Sequence, residues 1–403
     1  MSSIITGKDR FILNKFIEVI KKEKIPMEVI DTTGKIYRAG RDKMKFKLQI
    51  KDNRFFKCLI SPDANSFGEA FINGYFDVYG NLIELYDVAC QKLLNTDRRI
   101  PFLKFFKNLF ASVRKKEKGN IEYHYDAPSS FYKLFLGETL GYTCGYYNNE
   151  QTTMDQAQYN KMDIICKKLR LKENETLLDI GCGWGNFLVY STKNYGVKAT
   201  GITLSQEQKK YADKWIQKEG LEKQCSVKIF NYRDLGDQIF DKISCIGMSE
   251  HVGKKNMSQF FRTAYSALAP DGLFLQHTIT TNEKRKKGYE NTFLDKYMFP
   301  GGELLLNHKL IDNAFDTGFE LLSSENFRVH YVKTLKDWID NMELKKDEIL
   351  HTVSEVVYRI YYIFFIGSLI SFKNQEISLF QNLFYKKKED NNKINYFSTP
   401  YAS

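Results

Sequence analysis

Past residue 122 the chain settles into a rhythm of strand-length apolar runs, at residues 176–180, 198–203, 225–230, 241–247 and 273–278, separated by helical stretches such as 205–219 and 257–268. Strands covered on both faces read as unbroken apolar runs, and their alternation with helices is the pattern of a parallel sheet with helices on each side. The expected fold class is α/β, a doubly wound, mostly parallel, Rossmann-like sheet. The front of the chain follows another pattern: strand-like runs at 46–50 and 55–60, a helix-like run at 81–94, and no glycine-rich phosphate loop. A smaller α+β domain is expected there. The charged, apolar-poor run Ser112-Val-Arg-Lys-Lys-Glu-Lys-Gly-Asn120 marks a boundary. The domains expected are 1–118 and 119–388, with the low-complexity stretch 389–403 as a mobile tail.

With 403 residues, 43% of them apolar, the chain has material for one large core and one smaller one, which excludes global disorder. A formal charge of +11 points to an anionic partner, with nucleic acid and lipid headgroups both open on charge alone. The first ten residues hold no apolar core of signal-peptide length, so the cytoplasm is the expected compartment. The seven cysteines, Cys58, Cys90, Cys144, Cys166, Cys182, Cys225 and Cys245, are scattered without a Cys-x-x-Cys pair, so free thiols and no metal site are expected. Aromatic residues make up 15% of the chain, more than a core needs for filling, and suggest that something apolar or cationic is held among rings. The most apolar stretch, 356–370, carries Arg359 and is shorter than the roughly 20 residues of a membrane span, so it reads as a buried or lipid-facing helix.

Leu177-Leu-Asp-Ile-Gly-Cys-Gly-Trp-Gly185 carries the strongest chemical signal. Here a buried strand ends on an acidic residue, and three glycines then open a helix. Gly181 and Gly183 allow the backbone to turn tightly and approach a ligand, and the helix start offers unpaired N–H groups. Asp179 before the first glycine gives Asp-x-Gly-x-Gly-x-Gly, which matches enzymes of S-adenosylmethionine, whereas dinucleotide folds favour a Gly-x-Gly-x-x-Gly that this run lacks. After the next strand, Thr203, Ser205 and Gln208 stand where such folds contact the ribose, although Ser205 serves equally well as a helix N-cap. Gly247-Met-Ser-Glu-His-Val-Gly253 and Leu273-Phe-Leu-Gln-His-Thr-Ile279 bring Glu250 and His277 to strand carboxyl ends, the side on which open α/β sheets bind ligands. They read as sharing one site, the alternative for His277 being a satisfied core histidine.

These segments, together with Glu122-Tyr-His-Tyr-Asp126, Phe131-Tyr-Lys-Leu-Phe-Leu-Gly137, Tyr142-Thr-Cys-Gly-Tyr-Tyr147, Asn231-Tyr-Arg-Asp-Leu235 and Tyr297-Met-Phe-Pro-Gly-Gly302, resemble the cyclopropane fatty acid synthase family of S-adenosylmethionine-dependent methyltransferases over residues 122–384. Phe67-Gly-Glu-Ala-Phe-Ile-Asn-Gly74 resembles the N-terminal domain of its full-length bacterial members, which is implicated in lipid and dimer contacts. The resemblance implies a class I methyltransferase fold. It implies cofactor contacts from Tyr142, Thr143, Asp179, Gly181, Gly183, Gly185, Thr203, Leu204, Ser205, Gln208, Tyr232 and Arg233. It also implies a bicarbonate ion held by Cys144, Glu250, His277 and Tyr331, the last through Val329-His-Tyr-Val-Lys-Thr-Leu335.

The activity implied is transfer of a methylene unit from S-adenosylmethionine to the cis double bond of an unsaturated acyl chain in a membrane phospholipid. The carbocation formed on methyl transfer is deprotonated by bicarbonate, which Glu250 and His277 position, and the ring closes. Two alternatives stay open: a lipid C-methyltransferase that leaves a branch, and a small-molecule amine N-methyltransferase. The implied setting is cytoplasmic and peripheral at the inner membrane, with phospholipid and no nucleic acid as partner and a homodimer through the N-terminal domain. Lys254-Lys255, Lys284-Arg-Lys-Lys287 and Lys386-Lys-Lys388 are the candidate headgroup contacts. Two departures stand out: Ser368 where many members carry a cysteine, and Ser249 where an aromatic residue is common.

Overall fold

The computed structural model describes residues 5–39, 44–60, 64–93, 127–282, 296–298 and 302–388. The boundary expected between residues 118 and 119, the motif at 122–126, the basic run at 284–287 and the tail at 389–403 lie outside the described residues. The chain forms two units, one of 1–125, 285–300 and 349–371, the other of 126–284, 301–348 and 372–403.

In the first unit, strands β1 (Met27–Ile30), β2 (Ile36–Ala39), β3 (Phe46–Ile50) and β4 (Phe76–Tyr79) lie in the order β2-β1-β3-β4. Only β1 and β3 run parallel. Rings of Phe55, Phe67 and Phe71 close on Phe76 with centroids 4.9–5.8 Å apart and form the unit's core. The run 55–60, read from the sequence as a strand, is a helix, Phe55–Ile60. Asp52 explains the difference: its carboxylate accepts from Arg54 N (2.8 Å) and its carbonyl from Phe55 N (3.0 Å), which starts a helical turn that a short apolar run is free to continue.

Helix Glu355–Lys373 contains the apolar stretch with Arg359. It is the one helix among the described residues long and apolar enough to cross a membrane, yet 78% of its most apolar window is buried inside the protein. Arg359 is tolerated there because each of its donors is answered. The guanidinium pairs with Asp77 (2.5 Å) and Glu355 (2.7 Å) and donates to the carbonyls of Phe71 (3.1 Å) and Phe76 (3.4 Å).

The second unit is built on a seven-stranded sheet. Its strands are β5 (Thr176–Ile180), β6 (Lys198–Thr203), β7 (Cys225–Ile229), β8 (Phe240–Ile246), β9 (Leu268–Thr281), β10 (Phe319–Asn326) and β11 (Ile377–Lys386), in the order β10-β11-β9-β8-β5-β6-β7. The five central and right-hand strands are parallel, while β11 runs antiparallel to both β9 and β10. The five strands anticipated from the apolar runs are present, and β10 and β11 add an edge that the sequence reading did not foresee. Leu178 and Ile180 of β5 enter a core with Phe260, Phe261, Phe274 and Phe384, while Leu177 faces the opposite core with Ile165, Leu188 and Ala212. That alternation buries both faces, as expected for a doubly wound sheet. The order reverses between β5 and β8, and ligands bind outside the strand ends at such a switch point.

Replacing Arg359 by Met would leave the Asp77 carboxylate, 16% exposed, with only the Lys51 ammonium of its two cations, and the Phe76 carbonyl without the guanidinium donor. A loss of about 2 kcal/mol is expected, measured by urea denaturation, with a smaller loss when Asp77→Asn is combined with it.

Candidate functional site

Three glycines at the carboxyl end of β5 serve different ends. A Cβ on Gly181 (φ +81°) would lie 2.5 Å from Met248 Cγ, and one on Gly185 (φ +84°) would lie 2.8 Å from Ala212 Cβ, so these two positions let the loop pack closely. Gly183 (φ +54°) faces open space, with no atom within 4 Å of an added Cβ, and leaves bare backbone toward a ligand. Helix Asn186–Tyr195 follows with no cap from the residue before it; Asn186 Oδ1 accepts from Phe187 N (2.9 Å), and the other N–H groups of the first turn add to the same face. Asp179 is buried before the loop and accepts from Ser244 Oγ at 2.7 Å. Burial raises its pKa to about 7, against the opposing pull of Ser244 and the Lys161 ammonium.

The segment Tyr142–Cys144 is held from helix Met154–Leu169. Gln158 Nε2 donates to the Thr143 carbonyl (2.8 Å), and Lys161 Nζ donates to Thr143 Oγ1 (2.7 Å) and Gln158 Oε1 (2.6 Å). Lys161 is fully buried without a direct carboxylate partner among these bonds, and desolvation lowers its pKa to about 8. The Tyr142 ring packs against Trp338 at 5.5 Å and Tyr132 at 5.8 Å.

In the loop after β6 the Ser205 hydroxyl accepts from Gln208 N (3.3 Å) and caps helix Gln206–Lys218, as one of the two readings of the sequence had it. Thr203 Oγ1 donates to Gln208 Oε1 at 2.8 Å. Leu204 projects from this loop, 72% exposed. Beyond β7, Tyr232 is buried against Phe260 with its hydroxyl unpartnered, and exposed Arg233 lies over its ring at 4.9 Å.

Glu250 and His277 stand on neighbouring strand ends. Glu250 stands on the 3-10 turn Ser249–His251 just after β8, and its Oε1 accepts from Ile279 N of β9 (2.8 Å), two residues beyond His277. The preceding loop is fixed by Gly247 N donating to the His277 carbonyl (2.8 Å). Phe327 connects the other two residues to this point. Its ring meets the His277 ring edge-on at 6.2 Å, its carbonyl accepts from the Cys144 thiol at 3.8 Å and from Tyr331 N at 3.1 Å. Glu250 Oε2 and His277 Nε2 are buried with no hydrogen-bond partner.

Charge state gives this cluster its character. Burial raises Glu250 to about 7, holds His277 well below its ordinary range, and pushes the Cys144 thiol and the Tyr331 hydroxyl up, with Cys144 and Glu250 adding to the rise at Tyr331. The buried Lys161 and Lys168 ammonium groups add to the depression of His277. A thiol, a phenol, a neutral imidazole and a carboxyl whose pKa is raised to about 7 are thus gathered near buried positive charge. Such a set carries less negative charge than it would in water, and in its protonated form it suits an anion.

Ser249 and Ser368 are both buried. Ser249 donates to Thr278 Oγ1 (2.9 Å), whereas Ser368 Oγ, in the other unit, has no partner. Lys386, counted among the basic clusters, is committed to the carbonyls of Tyr265 (2.8 Å) and Leu268 (2.6 Å). The sequence reading passed over Gln158, Lys161 and Phe327. Lys161 did leave a signal: a lysine four residues from both Ala157 and Ile165, on the face of a helix that those two residues bury.

Glu250 binds its proton more tightly in the folded protein than at the unfolded value of 4.5, so the stability contributed by its neutral form is full below pH 4.5 and lost as pH rises through about 7. Glu250→Gln removes that penalty. The variant is expected to be about 2–3 kcal/mol more stable than the parent at pH 8, with the difference vanishing toward pH 4.5, as read by denaturant melts across pH.

The profile of the family described as mycolic acid cyclopropane synthetase matches residues 112–382. A probable fatty acid methyltransferase of Pseudomonas putida is 33% identical, with 85% of this chain and 87% of that protein aligned. The cyclopropane-fatty-acyl-phospholipid synthase of Escherichia coli K12 is 30% identical over 85% of this chain and 88% of its own. Among solved structures, the mycolic acid cyclopropane synthase CmaA1 complexed with SAH and CTAB superposes with a TM-score of 0.62 at 30% identity, covering 68% of this chain and 99% of that one. The sheet order, the glycine loop and these likenesses agree, and the chain belongs to the mycolic acid cyclopropane synthetase family of S-adenosylmethionine-dependent methyltransferases.

Proposed function

We propose that this methyltransferase acts on the cis double bond of an unsaturated acyl chain carried by a membrane phospholipid, and that it closes a cyclopropane ring with the help of a bicarbonate ion. The observation that carries this reading is the pair of buried, unpartnered atoms Glu250 Oε2 and His277 Nε2, set among neutral donors. The cofactor fits the other half of the site. Bare backbone at Gly183, the first turn of helix Asn186–Tyr195, the buried Asp179 carboxyl and the exposed Leu204 side chain offer both polar and apolar contacts to an amino-acid-bearing nucleoside. Tyr142, Thr143, Thr203, Ser205, Gln208, Tyr232 and Arg233 belong to the same proposed contact set.

S-adenosylmethionine supplies an electrophilic methyl group, and bicarbonate supplies a base. The protein's own contribution is to orient, to shield and to hold charge. His277 and Glu250 fix the anion, so neither has to be the base itself, and Cys144 and Tyr331, kept protonated by burial, complete its donors. The rings of Tyr142, Trp338, Tyr331 and Phe372, in successive contact at 4.7–6.0 Å, exclude water and present electron-rich faces to a cationic centre.

The same chemistry admits a second product. A proton removed from a neighbouring chain carbon, instead of from the new methyl group, leaves a methyl branch, and the likeness to a probable fatty acid methyltransferase favours keeping this outcome in view. An amine substrate has no such support in the names of these relatives. We further propose a peripheral position at the cytoplasmic face of the inner membrane, with exposed Lys254 and Lys255 among the headgroup contacts, and a homodimer formed through residues 1–118.

The test is incubation with methyl-labelled S-adenosylmethionine and vesicles of cis-monounsaturated phospholipid, followed by mass spectrometry and proton NMR of the lipid. Upfield ring protons on a product heavier by one methylene are expected. A branched alkene would replace the ring reading, and an unlabelled lipid with confirmed cofactor binding would remove both. His277→Ala is expected to lower turnover roughly 100-fold and Glu250→Gln roughly tenfold, with cofactor affinity by calorimetry changed by less than about twofold. Unaltered turnover would take both residues out of the site.

A further inference from the structure

Across the edge of the large sheet, three side chains stand in one transverse row. Glu325 of β10 lies opposite Gln381 of β11, and Gln381 lies opposite His277 of β9. Residues directly opposite on neighbouring strands share a face and touch. Lys168, in the last turn of helix Met154–Leu169, covers the row: its Nζ donates to Glu325 Oε2 at 2.8 Å and to Gln381 Oε1 at 2.5 Å, and it lies 4.8 Å from the centroid of the Phe327 ring. The Gln381 amide nitrogen then faces His277 Nδ1 at 3.1 Å. Lys168, Gln381 and His277 are all essentially inaccessible to solvent, at 1%, 1% and 0% exposure, so water cannot substitute for any of these partners.

The direction of every proton in this row follows from its first member. An ammonium group only donates, so the glutamine atom facing Lys168 is its carbonyl oxygen. The amide nitrogen is therefore turned toward His277 and donates to Nδ1. A ring nitrogen that accepts carries no proton, so the proton of a neutral imidazole sits on Nε2, the atom buried without a partner in the candidate anion site. Without the lysine, the amide of Gln381 is free to turn over, and a carbonyl facing Nδ1 would draw the proton there and leave a lone pair aimed at the anion.

We propose that Lys168 is a positioning residue: acting through Gln381, it holds His277 in the tautomer that donates from Nε2 into the site. Its use in anion binding rests on the bicarbonate reading given above, whereas the tautomer lock itself does not. Burial keeps His277 neutral, which is the condition for tautomer choice to matter.

The experiment uses the full chain with 15N-labelled histidine, with the His277 signals assigned by comparison with His277→Gln. Wild type is expected to show a protonated Nε2 and a bare Nδ1. Lys168→Met is expected to mix or reverse that pattern, and Lys168→Arg, also a pure donor, to restore it. Gln381→Met cuts the link while leaving the Lys168–Glu325 pair, and guards against a Lys168 variant that does not fold; it is expected to shift the pattern as Lys168→Met does. In lipid methylation assays, the bicarbonate concentration for half-maximal rate is expected to rise about tenfold in Lys168→Met and Gln381→Met, with S-adenosylmethionine affinity unchanged. A His277 pattern that stays as in wild type in both variants would overturn the proposal. A wild-type rate indifferent to bicarbonate, with the tautomer still following Lys168, would uphold the lock and instead remove the anion reading.

Discussion

Desolvation at the carboxyl ends of β5, β8 and β9 governs the rest of this site. Asp179, Glu250 and His277 are all driven toward their neutral forms there, and Cys144 and Tyr331 are held protonated. In water the same five residues would offer a pair of carboxylates and a weak base, a poor environment for an anion. Removed from water and near the Lys161 and Lys168 ammonium groups, they carry much less negative charge than they would in water. The penalty for keeping such groups dry is offset elsewhere, by two buried apolar cores, one rich in aromatic rings and one mainly aliphatic.

The edge of the sheet is where the fold makes this arrangement definite. A parallel strand beside β9 would have required a crossover, whereas antiparallel β11 enters directly after helix Glu355–Lys373 and sets Gln381 opposite His277. β10 then puts Glu325 beside Gln381, and the helix that follows it carries Tyr331. One strand pair thus supplies the partner for the imidazole and the route to the fourth site residue.

Much of this was legible in the chain because it is local. The strands at 176–180 and 198–203 fall on their apolar runs to the residue, the glycine loop announces itself by composition, and Ser205 caps its helix as serine does. Elsewhere the deciding information is not local. Phe55–Ile60 is apolar enough for either structure, and a carboxylate three residues earlier makes it a helix. β10, with the mixed sequence Phe-Glu-Leu-Leu-Ser-Ser-Glu-Asn, has one buried residue and lies at an edge, so its pairing with β11 left no apolar signature. Glu250 and His277 drew attention through strand-end position, but the contacts of Lys161, Lys168 and Gln381 reach partners up to 213 residues away in the chain, which no motif window spans.

The aromatic excess resolves into two populations with different work to do. Phe260, Phe261, Phe274, Phe319 and Phe384 meet one another at 5.5–6.4 Å between centroids and fill the core on one face of the large sheet. A second group, Tyr132, Tyr142, Trp338, Tyr331 and Phe372, forms a chain of ring contacts past the cofactor loop and the anion cluster. The first group needs only volume and shape, so aliphatic replacements of similar size would serve it. In the proposed reaction the second group lies where a cation would have to survive until its proton is removed, and there the electron-rich face of the ring would matter, not its volume. Which carbon loses that proton would depend on where the proposed anion sits relative to those faces. On that reading, ring or branch is decided by the geometry that Glu250, His277 and their partners impose on the base, after the methyl group has moved.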